Sequence, residues 1–261
     1  GEATVTSTLT FTSANWDTAQ TVTVTGVDDN LVDGSISSTI TIAVDDAASN
    51  DSFDAVADQT VSVTTTDDDV AGFTIVESDG STSVDESGTT DTFTVVLDAE
   101  PASDVVLTVT SSDPGEATVT STLTFTSANW DNAQTVTVTG VDDNLIDGTI
   151  GSTITVAVED ANSDDDFDAV ADQTVSVTTT DDDVAGFTIV ESDGTTSVDE
   201  SGTTDTFTIV LDAQPTSDVV LTISSNDTGE TTTTGTLTFS PVNWDTPQTI
   251  TITGVDDDII D

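Results

Sequence analysis

The chain repeats itself every 114 residues, and no other feature constrains its fold so tightly. Gly1-Glu2 recurs as Gly115-Glu116 and as Gly229-Glu230, and Trp16 recurs as Trp130 and Trp244. Asp67-Asp68-Asp69-Val70-Ala71-Gly72-Phe73 returns unchanged as Asp181-Asp182-Asp183-Val184-Ala185-Gly186-Phe187. Residues 1–69 match residues 115–183 at 60 of 69 positions. With the aspartate triplet as the joint, 1–69 is the C-terminal part of a first repeat, 70–183 a complete repeat and 184–261 the N-terminal part of a third. The expectation is a segment of a longer array whose ends do not fall at the joints. A unit of this length can bury a core of its own, whereas the two parts cannot unless other residues complete them.

Inside the unit, apolar residues alternate with Thr and Ser at a period of two, and no helical period is present. Phe73 and Ile75 share one parity, as do Phe93, Val95 and Leu97, then Val105, Leu107 and Val109. Leu123 with Phe125, Val136 with Val138, Ile154 with Val156, and Val175 with Val177 continue the pattern. Ser78-Asp79-Gly80, Ser87-Gly88, Ser111 to Gly115, and Asp147-Gly148 supply the turns. This predicts an all-β fold of seven or eight antiparallel strands, arranged as a two-sheet β-sandwich with Greek-key connections. Thr on the outward faces gives β propensity without exposed apolar surface. Thr178-Thr179-Thr180 runs into the triplet with neither a Gly/Ser tract nor a Pro spacer, so successive sandwiches are expected to join end to end as a rod.

The chain has 51 Asp and Glu and no Lys, Arg or His, for a net charge of −51. Charge of this density opposes compaction unless a counter-charge comes from outside. Nucleic acid is excluded as a partner because nothing could pair with phosphate, and an anionic membrane surface is as unfavourable. The absence of cysteine removes disulfides and thiol chemistry, and no apolar run reaches the length of a membrane span. No His, Cys or Lys is available as a base or nucleophile, so no catalytic set is expected and the chain is read as not an enzyme.

Many of the acids are bunched at turns and strand ends. In the complete repeat the candidates are Glu86 after the first strand, Asp113 with nearby Glu116, the turn Asp142-Asp143-Asn144-Leu145-Ile146-Asp147, and the triplet Asp181, Asp182 and Asp183. Strand ends of suitable parity gather at one pole of a sandwich. Six to eight hard oxygen ligands in flexible geometry suit Ca²⁺, whereas carboxylates crowded without a cation repel. The turn lacks the ligand spacing and terminal Glu of an EF-hand, and softer metals lack their His or Cys ligands. The repeat offset extends the metal-ligating set to Asp28, Asp29, Asp33, Asp67, Asp68 and Asp69 in the first part, and to Glu200, Asp227, Asp256, Asp257 and Asp261 in the third. Trp130, in a turn, is expected to close the end of the core beside Phe125 rather than to stack on a sugar.

Three stretches carry a resemblance to a known family. They are Val84-Asp85-Glu86-Ser87-Gly88, the block from Leu123 to Trp130 with Gln134 to Asp143, and Thr180-Asp181-Asp182-Asp183. On these the chain resembles the Calx-beta-like tandem repeats of large secreted bacterial adhesins of the RTX type, and is distantly similar to the calcium-binding domains of the sodium–calcium exchanger. The resemblance implies calcium at one pole, held by Glu86, Asp113, Asp142, Asp143, Asp147, Asp181, Asp182 and Asp183. The last acid of the exchanger turn is normally Glu, and here it is Asp147, one methylene shorter. The implied function is a calcium-rigidified extender of a secreted cell-surface adhesin that projects a distal binding module. Its partners would be calcium ions and neighbouring repeats. The alternatives are a glycan- or host-surface-binding repeat, or a calcium-bridged matrix or surface-layer component.

Overall fold

The computed structural model of the chain describes residues 1–256. Four strands occupy the first part: β1 (Ala3–Val5), β2 (Val24–Gly26), β3 (Ile36–Ile42) and β4 (Gln59–Thr65). The complete repeat begins with β5 (Phe73–Glu77), β6 (Thr82–Asp85), β7 (Thr90–Leu97) and β8 (Val105–Ser111). It continues with β9 (Ala117–Val119), β10 (Thr122–Phe125), β11 (Gln134–Gly140), β12 (Ile150–Val158) and β13 (Gln173–Thr180). The third part holds β14 (Phe187–Glu191), β15 (Thr204–Leu211), β16 (Val219–Thr222), β17 (Thr231–Thr233), β18 (Thr236–Phe239) and β19 (Gln248–Gly254).

The complete repeat is two sheets, one in the order β10-β8-β12-β13-β6 and the other β5-β7-β11-β9. Alternation dictates the core, because every second residue of a strand points to the same face. Phe93, Val95, Val105, Leu107, Phe125, Val136, Val138, Ile154 and Val156 are fully buried between the sheets, and Trp130 packs against this core from its turn. Each such side chain contributes about 1.5–3 kcal/mol relative to exposure, which is where a chain without disulfides finds its stability.

Two expectations about the strands are corrected. The repeat has nine strands rather than seven or eight, and one pair is not antiparallel. Residues 82–85 form a strand of their own, running parallel to β13 in the register Thr82↔Val177 to Asp85↔Thr180. Parallel pairing needs a long crossover, and nearly the whole repeat lies between the two strands. Gly140, ending β11, lets β6 come close: a Cβ there would stand 2.0 Å from the Asp85 carbonyl oxygen. Glu86 is thus delivered beside both the end of β13 and the turn that follows β11.

The acidic loop 159–168 is part of the core boundary. Asp164 is buried and its carboxylate accepts from Ser103 N at 2.6 Å, Ser103 Oγ at 3.2 Å and Asp166 N at 3.1 Å, while its backbone O accepts from the N–H of the buried Phe167 at 2.9 Å.

The flanking parts carry nearly the same sequence but bury it less. In the first part β1 pairs β2 and β3 pairs β4, while in the third β14-β15-β19-β17 and β16-β18 form separate sheets. Phe53 is 59% exposed where its counterpart Phe167 is 0%. Phe187 is 51% exposed where Phe73 is 2%. Parity chooses the inward face, but its burial depends on the strands that face it.

Successive repeats meet through backbone. Glu100 N donates to Asn30 O (2.7 Å) and Val32 N donates to Glu100 O (3.0 Å). The next joint reproduces this, with Gln214 N on Asn144 O (2.6 Å) and Ile146 N on Gln214 O (3.3 Å). Val32 also packs on the core of the complete repeat.

Candidate metal centre

β6, β11 and β13 end together, and their ends carry the acids. The β6–β13 register puts Asp85 opposite Thr180, so Glu86 emerges next to the triplet, with its own N–H on Thr180 O at 3.1 Å. Beyond Gly140, Val141 N donates to Glu116 O at 2.9 Å, which ties the acidic turn to the start of β9.

Glu86 is 1% exposed, and neither of its carboxylate oxygens has a hydrogen-bond partner. One carboxylate oxygen each of Glu86, Asp182 and Asp183 lies within 4.8 Å of the others. Glu116 Oε2, Asp147 Oδ1 and Asp183 Oδ2 are likewise buried without a partner. A buried oxygen left in this condition normally costs several kcal/mol for an ionised group, and this chain has no side-chain cation to offer.

Titration follows from this crowding. Burial pushes the Glu86 carboxyl up to about 7, and the charges of Asp181, Asp143, Asp147 and Glu116 push in the same direction. Glu116 and Asp147 are raised by burial first, and then by Asp147 and Asp143 respectively. Asp183 is raised by burial, then by Asp181, Asp182, Asp142 and Asp143. Asp181 goes the other way, because Gly148 N (2.8 Å), Asp183 N (2.8 Å) and Asp147 N (3.1 Å) all donate to its carboxylate. Its acceptor capacity is largely spent on holding the turn shut around the other acids.

The structure therefore gathers the nine acids singled out in the complete repeat at one pole, in different roles. Glu86, Asp182 and Asp183 converge at ligand distance. Glu116 and Asp147 present buried oxygens to the same region. Asp181 organises the backbone, and Asp143 accepts from Leu145 N at 2.6 Å to shape the turn. Asp142 is exposed at the rim. Asp113 is exposed and caps its own turn by accepting from Gly115 N at 3.1 Å, while Glu116 is the buried member of that pair.

The same pole recurs in halves. In the first part Asp67 takes the place of Asp181, accepting from Gly34 N, Asp69 N and Asp33 N. Asp28, Asp29, Asp33, Asp67, Asp68 and Asp69 line a small cavity of about 20 Å³ together with Glu2. Burial and the charges of Asp67, Asp68, Asp28 and Asp29 raise Asp69. In the third part Glu200 and Glu230 line an open cavity of about 710 Å³. Asp227 accepts from Gly229 N at 3.0 Å as Asp113 does from Gly115, and Asp256 is exposed. Asp257 and Asp261 lie outside the described residues. Sequence reasoning missed Glu2 and Glu230, although the 114-residue offset from Glu116 points to both.

No protein-family model and no curated protein matches the chain. Solved structures match it at low similarity. The crystal structure of the calcium binding domain CBD12 of CALX1.1 is 15% identical over 70% of this chain and 76% of its own length, with a TM-score of 0.30. Domains 4 and 5 of the S-layer protein SbsC are 20% identical over 62% and 84% of the two chains, with a TM-score of 0.33. SSP-19, an MSP-domain protein like family member in Caenorhabditis elegans, is 18% identical over 39% and 92%, with a TM-score of 0.27. Among the described residues no helix is long and apolar enough to cross a membrane.

Proposed function

We propose that the chain is a calcium-rigidified spacer of a secreted bacterial cell-surface adhesin, in which each repeat binds calcium at the pole where it meets the next. One observation carries the reading: Glu86 is buried without a hydrogen-bond partner against Asp182 and Asp183, in a chain without Lys, Arg or His. A divalent cation with oxygen preference is the counter-charge that such a donor set accepts. The residues fit Ca²⁺ better than Mg²⁺, because several carboxylates converge from three separate strand ends and no compact octahedron is imposed. Glu86, Asp182 and Asp183 would hold the ion, with Glu116 and Asp147 completing its surroundings. No catalytic step is assigned to any residue.

Rigidity follows from where the turn leads. Asn144 and Ile146 lie between Asp143 and Asp147, and their backbone groups hydrogen-bond Gln214 of the next repeat. An ion that fixes this turn also fixes the platform on which the next sandwich sits. The Asn30–Val32 contact to Glu100 gives the preceding joint the same property. Removing the ion returns mutual repulsion to the pole and loosens both the fold and the joint.

Small-angle scattering of the 261-residue chain tests this reading, first in millimolar calcium and then in excess chelator. The expected result is a stiff, extended particle with calcium that becomes broadly flexible on chelation. An unchanged profile would reduce the acids to surface charge and overturn the proposal.

A further inference from the structure

The linker between repeats is held by hydrogen bonds at both ends and by none in between. At its start Asp183 N donates to Asp181 Oδ1 at 2.8 Å, and in the preceding linker Asp69 N donates to Asp67 Oδ1 at 2.8 Å. At its end Asp212 N donates to Gly186 O at 3.0 Å, as Asp98 N does to Gly72 O at 2.9 Å. Each end therefore belongs to the folded body beside it. The downstream end is closely packed as well as bonded. A Cβ on Gly72 would stand 2.5 Å from Asp98 Oδ2, and Thr74 Oγ1 holds that carboxylate through Oδ1 at 2.7 Å. Gly186, Asp212 and Thr188 repeat the arrangement.

Between these anchors lie Val70-Ala71 in one linker and Val184-Ala185 in the other. Their backbone groups make no hydrogen bond among the described residues, and both valines are 76% exposed. Two residues span about 7 Å at most, so rotation about their dihedrals swings one repeat against the next without parting the ends. The swing is opposed by the contact beside the linker, where Gln214 N meets Asn144 O and Ile146 N meets Gln214 O. Gln214 is itself braced, its Nε2 donating to Pro241 O at 2.8 Å. Glu100 makes the same backbone contact with Asn30 and Val32 in the preceding joint.

We propose that Val70-Ala71 and Val184-Ala185 are hinges, and that the backbone contacts at Glu100 and Gln214 are catches that hold them shut. The position of the hinges follows from the hydrogen bonds alone. Their control rests on the calcium reading above, because each catch engages the acidic turn that the ion would fix. With calcium bound the catch is closed and the joint is straight and stiff. Without it the repeats swivel about a linker that stays tethered at both ends. Motion at the joint is then concentrated in two residues rather than spread through the Asp triplet and the strands that flank it.

Limited proteolysis of the 261-residue chain with elastase tests this, in millimolar calcium and in excess chelator. Mass spectrometry reads the cut sites, and calorimetry on the same sample counts bound calcium. Elastase accepts small apolar residues at the bond it cuts, and both hinges present them. The first cuts in chelator are expected at Val70-Ala71 and Val184-Ala185, releasing the complete repeat as one piece. Calcium should slow them roughly tenfold or more, the factor for closing two backbone hydrogen bonds of ordinary net strength. Gln214→Pro and, independently, Glu100→Pro delete the N–H of a catch and leave every candidate ligand in place. Each should restore cutting at its own hinge in calcium, with the count of bound calcium unchanged. First cuts in the 159–168 loop or within strands would overturn the hinges. Equal cutting with and without calcium in a protein that binds the ion, or continued protection of both Pro variants, would overturn the catches. No bound calcium would overturn the spacer reading, while the cut sites would still decide the hinges.

Discussion

Replacing Glu86 by Gln should change the stability of the protein in opposite directions with and without calcium. The carboxyl titrates at about 7 in the fold against an ordinary value of 4.5. Because the folded value is raised, the folded protein binds more protons than the unfolded chain between these values. Stability of the calcium-free protein therefore falls as pH rises from 4.5 to 7, and the cost is complete above 7. A shift of that size corresponds to about 3 kcal/mol. The Gln side chain removes the charge but leaves a buried amide short of partners, which returns about 1–2 kcal/mol of it. At pH 8 in chelator, Glu86→Gln should thus stabilise the complete repeat by about 1–2 kcal/mol, a rise in Tm of several degrees.

In saturating calcium the order reverses. A ligand present at about a thousand times its Kd stabilises by about 4 kcal/mol, and the variant forfeits most of this by losing a central ligand. Urea unfolding followed by Trp130 fluorescence, in a background of Trp16→Phe and Trp244→Phe, isolates the complete repeat from its neighbours. The variant should be the more stable protein in chelator and the less stable one in calcium. A Glu86→Gln protein that is weaker than the parent in chelator at pH 8 would refute the claim that this carboxylate is an uncompensated buried charge.

Two further outcomes separate scaffold acids from ion ligands. Asp181 is held below the ordinary aspartate value of 3.8 by three backbone N–H donors, so its stabilisation is present above 3.8 and lost as pH falls through its lower folded value. Asp181→Ala should lower Tm at pH 7 in chelator, and the gap from the parent should close in strong acid; a gap independent of pH would contradict this. Asp164→Ala should cost about 2–3 kcal/mol by stranding Ser103 N and Asp166 N, with the same loss in calcium and in chelator. A calcium-dependent loss at Asp164 would mean that the 159–168 loop also holds an ion.

The parity of Phe93, Val95 and Leu97, and of Val105, Leu107 and Val109, was enough to place these side chains between two sheets, because in a strand the face is a local property. The partner strand is not local. Nothing in Thr82 to Asp85 signals a parallel partner almost a hundred residues away, and that pairing decides which acids meet. A count of carboxylates at turns consequently points to one pole while treating its members alike. Asp113 and Glu116 are three residues apart and chemically similar, yet one is exposed and caps a turn while the other is buried with an unpartnered oxygen. Asp181 and Asp183 are two apart, yet N–H donors of residues 148, 183 and 147 lower the pKa of the first, while burial and the charges of neighbouring aspartates raise that of the second. The division of labour among identical side chains is written in the backbone N–H groups that surround them. A stretch such as Asp181-Asp182-Asp183 supplies charge in sequence, and it becomes a convergent cluster with Glu86 only when β6, β11 and β13 end at the same place. Asp67 in the first part makes the same point, since it repeats the role of Asp181 by accepting from the backbone N–H groups of Asp33, Gly34 and Asp69, and the scaffold acid is recognised by those donors rather than by its neighbours in sequence.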